Sequence, residues 1–340
     1  MSKIVYLLGA GASRGSRNNK KLGPFAYYES GVPIVSEFAN ALDSYCSSFY
    51  PRPRFWGQDA YESIKYKWLY EELTWLRDIS KDNLTIDNYA KVLWSTGRLD
   101  ELRRLKRAMA VFFSLIQKPE KRDKRYDNFL EKLSVFGGKI QADLSIFSWN
   151  YDRQVEYALH RYDLADMSDT HQLQICHISS KNHTTRYIAP GEFNLIKLNG
   201  TATFLYPSDL YLLEQKDTTP ETFEYQLARG FPSIDTSLSF AWEEDDHFID
   251  AILPLTSDTE ILIIIGYSMP DVNYKVDSRL ITNMRNLRSI IIQDCNATAL
   301  KNKLFELLSD SQSELVKNNL ISVRTVESID SFYVPKVLMK

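Results

Sequence analysis

The chain has 340 residues, of which 44% are hydrophobic and 25% charged, and its formal net charge is -3 at pH 7. That balance belongs to a globular protein with a sizeable core and excludes a largely disordered chain. A charge this small sets up no general field to attract nucleic acid or an acidic membrane surface, so direct nucleic-acid binding is not expected. The length exceeds one typical domain, and the reading taken here is one main domain carrying a large insertion.

Three cysteines, Cys46, Cys176 and Cys295, lie far apart and form no C-x-x-C pair. This excludes a disulfide framework and a four-cysteine zinc site, and it points to a reducing, cytoplasmic setting without a metal. No stretch approaches the ~20 apolar residues that a membrane helix needs.

Residues 4 to 8 form a continuous apolar run that reads as a strand buried on both faces. Lys3 followed by IVYLLGAGA also has the form of a secretory signal. The run is short and ends in a glycine pair, which favours a first strand entering a phosphate loop. That loop is Gly9-Ala10-Gly11-Ala12-Ser13, where tiny side chains let backbone N–H groups come close to a pyrophosphate. The third glycine of G-x-G-x-x-G is missing, and Glu29 ends no recognisable second strand, so an ordinary dehydrogenase fingerprint is not met. Arg14, Arg17, Lys20 and Lys21 follow in a polar loop, read either as a cover over phosphates or as merely solvated.

Residues 45 to 140 show helical periodicity and no convincing strand, which reads as a helical insertion between residues 1–44 and 141–330. Tyr61, Ile64, Trp68, Glu72, Trp75 and Ile79 fall near one helical stripe, expected to pack inside the insertion or at an oligomer contact. Arg103, Arg104, Lys106, Arg107, Lys118, Lys121, Arg122, Lys124 and Arg125 follow, with a solvated helix face as the default and a basic ridge as the alternative. Further strands are expected at 143–149, 260–265 and 289–293, with a late one at 320–326. Helical segments separate them, so the expected fold class is α/β, Rossmann-like, with a mainly parallel sheet and helices on both faces.

Several short pieces occur in a fixed order: GAGAS at 9, GVP at 31 to 33 followed by Glu37-Phe38, SWNYD at 148 to 152, KLNG at 197 to 200, and IGYSMPDVN at 265 to 273. Together they resemble the sirtuin-like family of NAD-binding proteins. Residues 45–140 and roughly 160–190 and 203–245 carry no such likeness. The resemblance implies that Gly9, Ala10, Gly11 and Ser13 line the pyrophosphate, with Pro33 of the GVP element and Gly200 of KLNG also at the nucleotide. It implies that Asn150 binds the nicotinamide ribose or an ordered water, and that Asp152 supports that site. Gly266 and Ser268 would contact the phosphate and adenosine side, with Gln293 or Asp294 near the adenosine ribose. Asn150 and Asp152 also suit a helix cap near Arg153.

Two departures bear on activity. The protein-deacetylating branch has a four-cysteine zinc module that this sequence cannot supply, which leaves the zinc-free branch of bacterial antiviral NAD hydrolases as the closer match. Where the family has His-Gly, this chain has Asn199-Gly200. An asparagine amide hydrogen-bonds but cannot take the proton that histidine can. General-base catalysis commonly contributes ~10²–10⁴-fold, about 3–5 kcal/mol of barrier. Breaking the nicotinamide glycosidic bond tolerates this loss because the pyridine leaves without protonation, and Asp152 is a substitute base on this reading. The histidines, His160, His171, His177, His183 and His247, have no metal-ligand spacing.

The expected function is an NAD glycohydrolase releasing nicotinamide and ADP-ribose, an effector of anti-phage defence that depletes cellular NAD. Its catalytic residues would be Asn150, Asp152 and Asn199. The resemblance also implies a homo-oligomer, an ATPase or Argonaute-like partner, and no membrane association. The alternative is an inactive NAD or ADP-ribose-binding subunit of a defence assembly, with Asn199 marking a dead site.

Overall fold

The computed structural model describes residues 3–15, 31–49, 66–82, 85–117, 122–135, 139–140, 143–161, 193–204, 219–229, 236–243 and 246–338. Arg17, Lys20, Lys21, Glu29, Tyr61, Ile64, Lys118, Lys121, Cys176, His171, His177 and His183 lie outside them. The chain opens with β1 (Lys3–Leu8), a 3-10 turn over Ala10–Ser13, and helices α1 (Phe38–Ser47), α2 (Lys67–Asp82), α3 (Ile86–Ser95), α4 (Leu99–Ile116) and α5 (Lys124–Leu133). Next come the short β2 (Ser134–Val135) and β3 (Lys139–Ile140), then β4 (Leu144–Ser148), α6 (Gln154–Arg161), β5 (Asn194–Lys197) and β6 (Gly200–Phe204). The remainder is α7 (Pro220–Ala228), β7 (Thr236–Leu238), α8 (Asp246–Ile252), β8 (Thr259–Ile265), α9 (Tyr274–Thr282), β9 (Ser289–Gln293), α10 (Ala297–Leu307), α11 (Asp310–Lys317) and β10 (Ser322–Val326).

Two compact units divide these elements. The sheet unit comprises residues 1–16, 122–200 and 239–340; the helical unit comprises 17–121 and 201–238. The helical unit therefore differs from the expected 45–140 insertion: it starts earlier, stops before α5, and gains the later segment containing α7 and β7. The reason for α5 is its apolar face. Tyr126, Phe129, Leu130 and Leu133 share one core with Ile4, Tyr6, Leu8, Leu144 and Ile146 of the sheet.

The sheet unit is a Rossmann-like α/β fold. Six strands pair in the order β10-β9-β8-β1-β4-β5, and every pairing is parallel. The expected strands at 4–8, 143–149, 260–265, 289–293 and 320–326 all belong to it. Alternation along β1 sends Ile4, Tyr6 and Leu8 to one core with α5 and α6, and Val5 and Leu7 to another with α8, α9 and α10. Helices thus cover both faces, which is why the central strands read as unbroken apolar runs. Each fully buried branched or aromatic side chain contributes about 1.5–3 kcal/mol of gross stabilisation.

The helical unit has an aromatic core. Phe38 meets Phe112 edge-on with centroids 5.2 Å apart, and Tyr45 and Phe49 continue the cluster. On α2 the buried stripe is Leu69, Tyr70, Leu73, Leu76 and Ile79. The expected stripe is thus displaced by one position except at Ile79. Trp68 is 50% exposed, and Glu72 takes a two-pronged bond from Arg104, whose guanidinium lies 3.9 Å from the Trp75 ring. Leu69, Leu73 and Leu76 lie at i, i+4 and i+7 on one face, which they share with Tyr70 and Ile79. Glu224 of α7 accepts the Trp68 and Leu69 amides at 3.1 and 2.7 Å, satisfying donors that the start of α2 would otherwise leave open. No helix among the described residues is long and apolar enough to cross a membrane.

Candidate functional site

The chain runs from β1 outward through β4 to β5, then returns to the opposite side of β1 for β8, β9 and β10. Strand order therefore reverses between β1 and β8. In open parallel sheets such a reversal leaves a crevice beyond the carboxyl ends of the strands, because the connections on either side depart in opposite directions. Register places Leu8 level with Ser148 and Ile265, Ser148 with Lys197, and Ile265 with Gln293. The sequence motifs that follow these residues consequently line up along one edge: Gly9, Trp149-Asn150, Leu198-Asn199, Gly266-Tyr267 and Asp294.

At the reversal the two glycine loops interlock. Gly9 N donates to Ile265 O at 3.0 Å and Gly11 N to Gly266 O at 2.8 Å. A Cβ on Gly9 would stand 2.5 Å from Tyr267 Cα, and one on Gly266, whose φ is +58°, would stand 2.1 Å from Ala12 N. The amides of Gly9 and Gly11 are thus committed to β8 and its loop, and close loop-to-loop contact accounts for all three glycines. From below, Arg125 Nη2 donates to Ala12 O at 2.8 Å while pairing with Asp123 at 2.6 Å, and both side chains are buried.

Ser13 is fully enclosed, so its side chain supports the site from behind. Its Oγ lies 2.8 Å from the Tyr126 hydroxyl and receives Asn150 Nδ2 at 3.1 Å. Asp152 also accepts the Gln154 amide at 3.0 Å, which is the helix-cap role, here for α6. Lys197 donates to Asp152 O and stands 3.3 Å from Glu156 Oε1. Burial pushes the Asp152 carboxyl above its ordinary range, opposed by Lys197 and by the hydrogen bonds from Gln154 and Ser13.

On β5's side, Asn199 Nδ2 donates to Trp149 O at 3.2 Å. The carbonyl oxygens Asn150 Oδ1 and Asn199 Oδ1 are both buried and have no hydrogen-bond partner among the described residues. Two orphaned acceptors on adjacent strand ends are a costly arrangement, about 1–3 kcal/mol each, unless something with donors fills the space. Gly200 follows with φ +62°, turning the chain after Asn199.

The other expected residues are placed differently. Trp149 stacks on Tyr267 with centroids 6.2 Å apart, and both donate to Asp277, which is fully buried. Burial raises the Asp277 carboxyl to about 7, against the opposing hydrogen bonds from Tyr267 and Trp149. Ser268 is exposed, and Lys303 Nζ donates to its carbonyl at 3.3 Å. Asp294 Oδ1 takes the Asn296 amide at 2.8 Å at the start of α10. Gln293 is turned inward, with Nε2 donating to Ser328 O and Ser331 O and Oε1 accepting from Tyr333 N, so its amide N–H groups are committed to the C-terminal segment. Pro33 is buried and belongs to the helical unit.

Sequence reasoning missed Tyr126, Lys197, Glu156 and Asp277. Lys197 did leave a signal, a lone cation in the otherwise uncharged strand NLIK. Tyr126 left none, because it reaches Ser13 across 113 positions. Arg103, Arg104, Arg122 and Arg125 of the basic stretch are paired with Asp100, Glu72, Asp127 and Asp123 respectively, so their charge is largely neutralised within the protein. Among the described residues no group of three or more His, Cys, Asp or Glu is placed to hold a metal ion. Neither a scan against protein-family profiles nor a search of curated proteins finds a match to this chain.

Proposed function

We propose that this chain is an NAD+ glycohydrolase whose substrate lies along the carboxyl edge of the sheet at the β1/β8 reversal. The observation that carries the reading is the pair of buried acceptors Asn150 Oδ1 and Asn199 Oδ1, which have no hydrogen-bond partner among the described residues. A ribose offers neighbouring hydroxyl donors, and a water to be activated offers another, so the chemistry of this donor-seeking pair matches the nicotinamide ribose that the family resemblance assigns to the same residues. The pyrophosphate would lie over the Ala10–Ser13 turn, with Gly266 and Ser268 on the adenosine side and Asp294 further along the edge.

In the reaction the ribose C1′–N bond breaks and its electron pair stays with the pyridine nitrogen, which releases neutral nicotinamide. Water adds to C1′ and gives its proton to solvent. Asn150 and Asn199 act by orienting the hydroxyls and the water, and the rate derives from positioning and from water-excluded polar groups. As the family resemblance implies, the biological output would be depletion of cellular NAD in cytoplasmic anti-phage defence, by a homo-oligomer assembled with an ATPase or Argonaute-like protein.

One observation favours a second reading, a binding subunit without turnover. Asn199 cannot take a proton, and Asp152, the substitute base, is enclosed by Ser13, Gln154 and Lys197. Incubation of the protein with NAD and mass spectrometry of released nicotinamide separates the two. The hydrolase reading expects release by wild type that falls by about 100-fold in Asn150→Ala, the usual effect of losing one positioned polar group. No release from wild type under any activating condition, with activity gained only in Asn199→His, overturns it in favour of the binding subunit.

A further inference from the structure

Arg125 stands in the basic stretch whose sequence reads as a solvated helix face, yet it is 5% exposed. Burying a guanidinium is unfavourable unless its charge and its donors are met, so its partners show what it holds. Nε and Nη2 pair with Asp123 Oδ2 at 2.8 and 2.6 Å. Nη2 also donates to Ala12 O and Nη1 to Ile329 O, each at 2.8 Å. A guanidinium only donates and a main-chain carbonyl only accepts, so the direction of both bonds is fixed by the groups themselves.

The two carbonyls, Ala12 and Ile329, lie 113 and 204 positions away in sequence. Ala12 O is near the C-terminal end of the Ala10–Ser13 turn, where a helical turn leaves carbonyls without internal partners. A pyrophosphate presents acceptor oxygens, so a carbonyl swung towards it would repel it, and Arg125 keeps this one turned to the interior. Asp123 extends the bracket to the next strand end. Its side chain accepts the Arg125 amide at 2.9 Å, and its own amide donates to Gln154 Oε1 at 2.7 Å. Gln154 begins α6, four positions after Asn150. Residues 123–125 thereby fasten the turn after β1 and the turn after β4 to one point.

We infer that Arg125, with Asp123, is a positioning residue that holds the Ala10–Ser13 turn at the spacing from Asn150 that a ribosyl pyrophosphate spans. The inference rests on the proposed function for the identity of the ligand, whereas the hold on Ala12 does not depend on it. Lysine is no substitute, because a single ammonium lacks the planar fork that reaches Asp123, Ala12 and Ile329 together.

Two variants of the full chain test this. Arg125→Lys keeps a charge beside Asp123 and loses the fork. Asp123→Asn/Arg125→Met buries no charge, so it avoids the cost of an unpaired ion, and its new amide oxygen still accepts the main-chain N–H at position 125. Leu130→Val, in the core under the same helix, is the control for loosened packing, and circular dichroism and melting curves are recorded for every variant.

The first readout needs no ligand. Alanine is followed by serine once in the sequence, at 12–13, so protein labelled with 13C-carbonyl alanine and 15N-serine gives one carbonyl–amide correlation for that pair. The Ala12 carbonyl resonance is expected to move upfield in both Arg125 variants, further in the double one, as the guanidinium bond is lost, and to stay in place in Leu130→Val. The second readout is the Kd for ADP-ribose by calorimetry, expected to weaken about 10-fold or more in both Arg125 variants and by less than about 3-fold in Leu130→Val. An unmoved carbonyl in the double variant, or a moved carbonyl with unchanged Kd, overturns the inference, and so does equal weakening in Leu130→Val. Absence of ADP-ribose binding by wild type instead defeats the functional reading, and the labelled carbonyl still decides whether Arg125 holds the turn.

Discussion

The two units bury different chemistry. In the helical unit the enclosed side chains of α1, α2 and α4 are apolar or aromatic, and charged groups such as Arg104–Glu72 and Arg77–Asp43 keep partial access to water. In the sheet unit Ser13, Asn150, Asp152, Glu156, Lys197, Asn199 and Asp277 are all buried, and all but Asp277 follow or end the strands β1, β4 and β5. Burying polar groups is unfavourable unless their bonds are made, so a fold with no further task would place apolar residues there. On the proposed function, the contrast is between a core that chiefly serves stability and a sheet edge that serves binding or chemistry.

Substitutions sharpen that contrast. The largest stability loss is expected from Leu73→Ala in the core stripe of α2, about 2–5 kcal/mol in urea denaturation. A cost under about 1 kcal/mol would mean that the stripe is not the one that packs. Next comes a pH dependence from Asp277. Its carboxyl is raised from 3.8 to about 7 in the folded protein, so the fold holds a proton that the unfolded chain releases. The stabilisation from this group is therefore fully present below about pH 4, declines as pH rises through about 7, and is flat above. The urea midpoint of wild type minus that of Asp277→Asn should fall between those limits, and a difference independent of pH would contradict the assignment. The smallest effect is Trp68→Ala on the half-exposed side of α2, expected within about 0.5 kcal/mol of wild type.

Much of the sheet unit was legible because buried parallel strands leave a blunt signature. Runs such as IVYLL and EILIII carry no alternation, and the positions after them hold glycine or polar residues that mark strand ends. The helix stripe was less legible, since α2 carries aromatics on more than one side and periodicity alone does not say which side faces the core. The division into units differs from the sequence reading at α5 and at 201–238 for a related reason: membership depends on which core a helix meets, and Phe129 and Leu130 look the same in either. At the site, Asn150 and Asn199 were visible as motif residues, whereas the roles of Ser13 and Gln293 were not. Their side chains turn inward to partners far away in sequence, Tyr126 for one and Ser328, Ser331 and Tyr333 for the other.

The central claim is that the two orphaned carbonyl oxygens mark a nucleotide ribose site, and the direct measurement is calorimetric titration of ADP-ribose into wild type and into Asn150→Ala/Asn199→Ala. Saturable binding by wild type, weakened at least about 30-fold in the double variant while the melting temperature is kept, is the predicted result. Equal affinity in both proteins, or no binding by the wild type, would contradict the account.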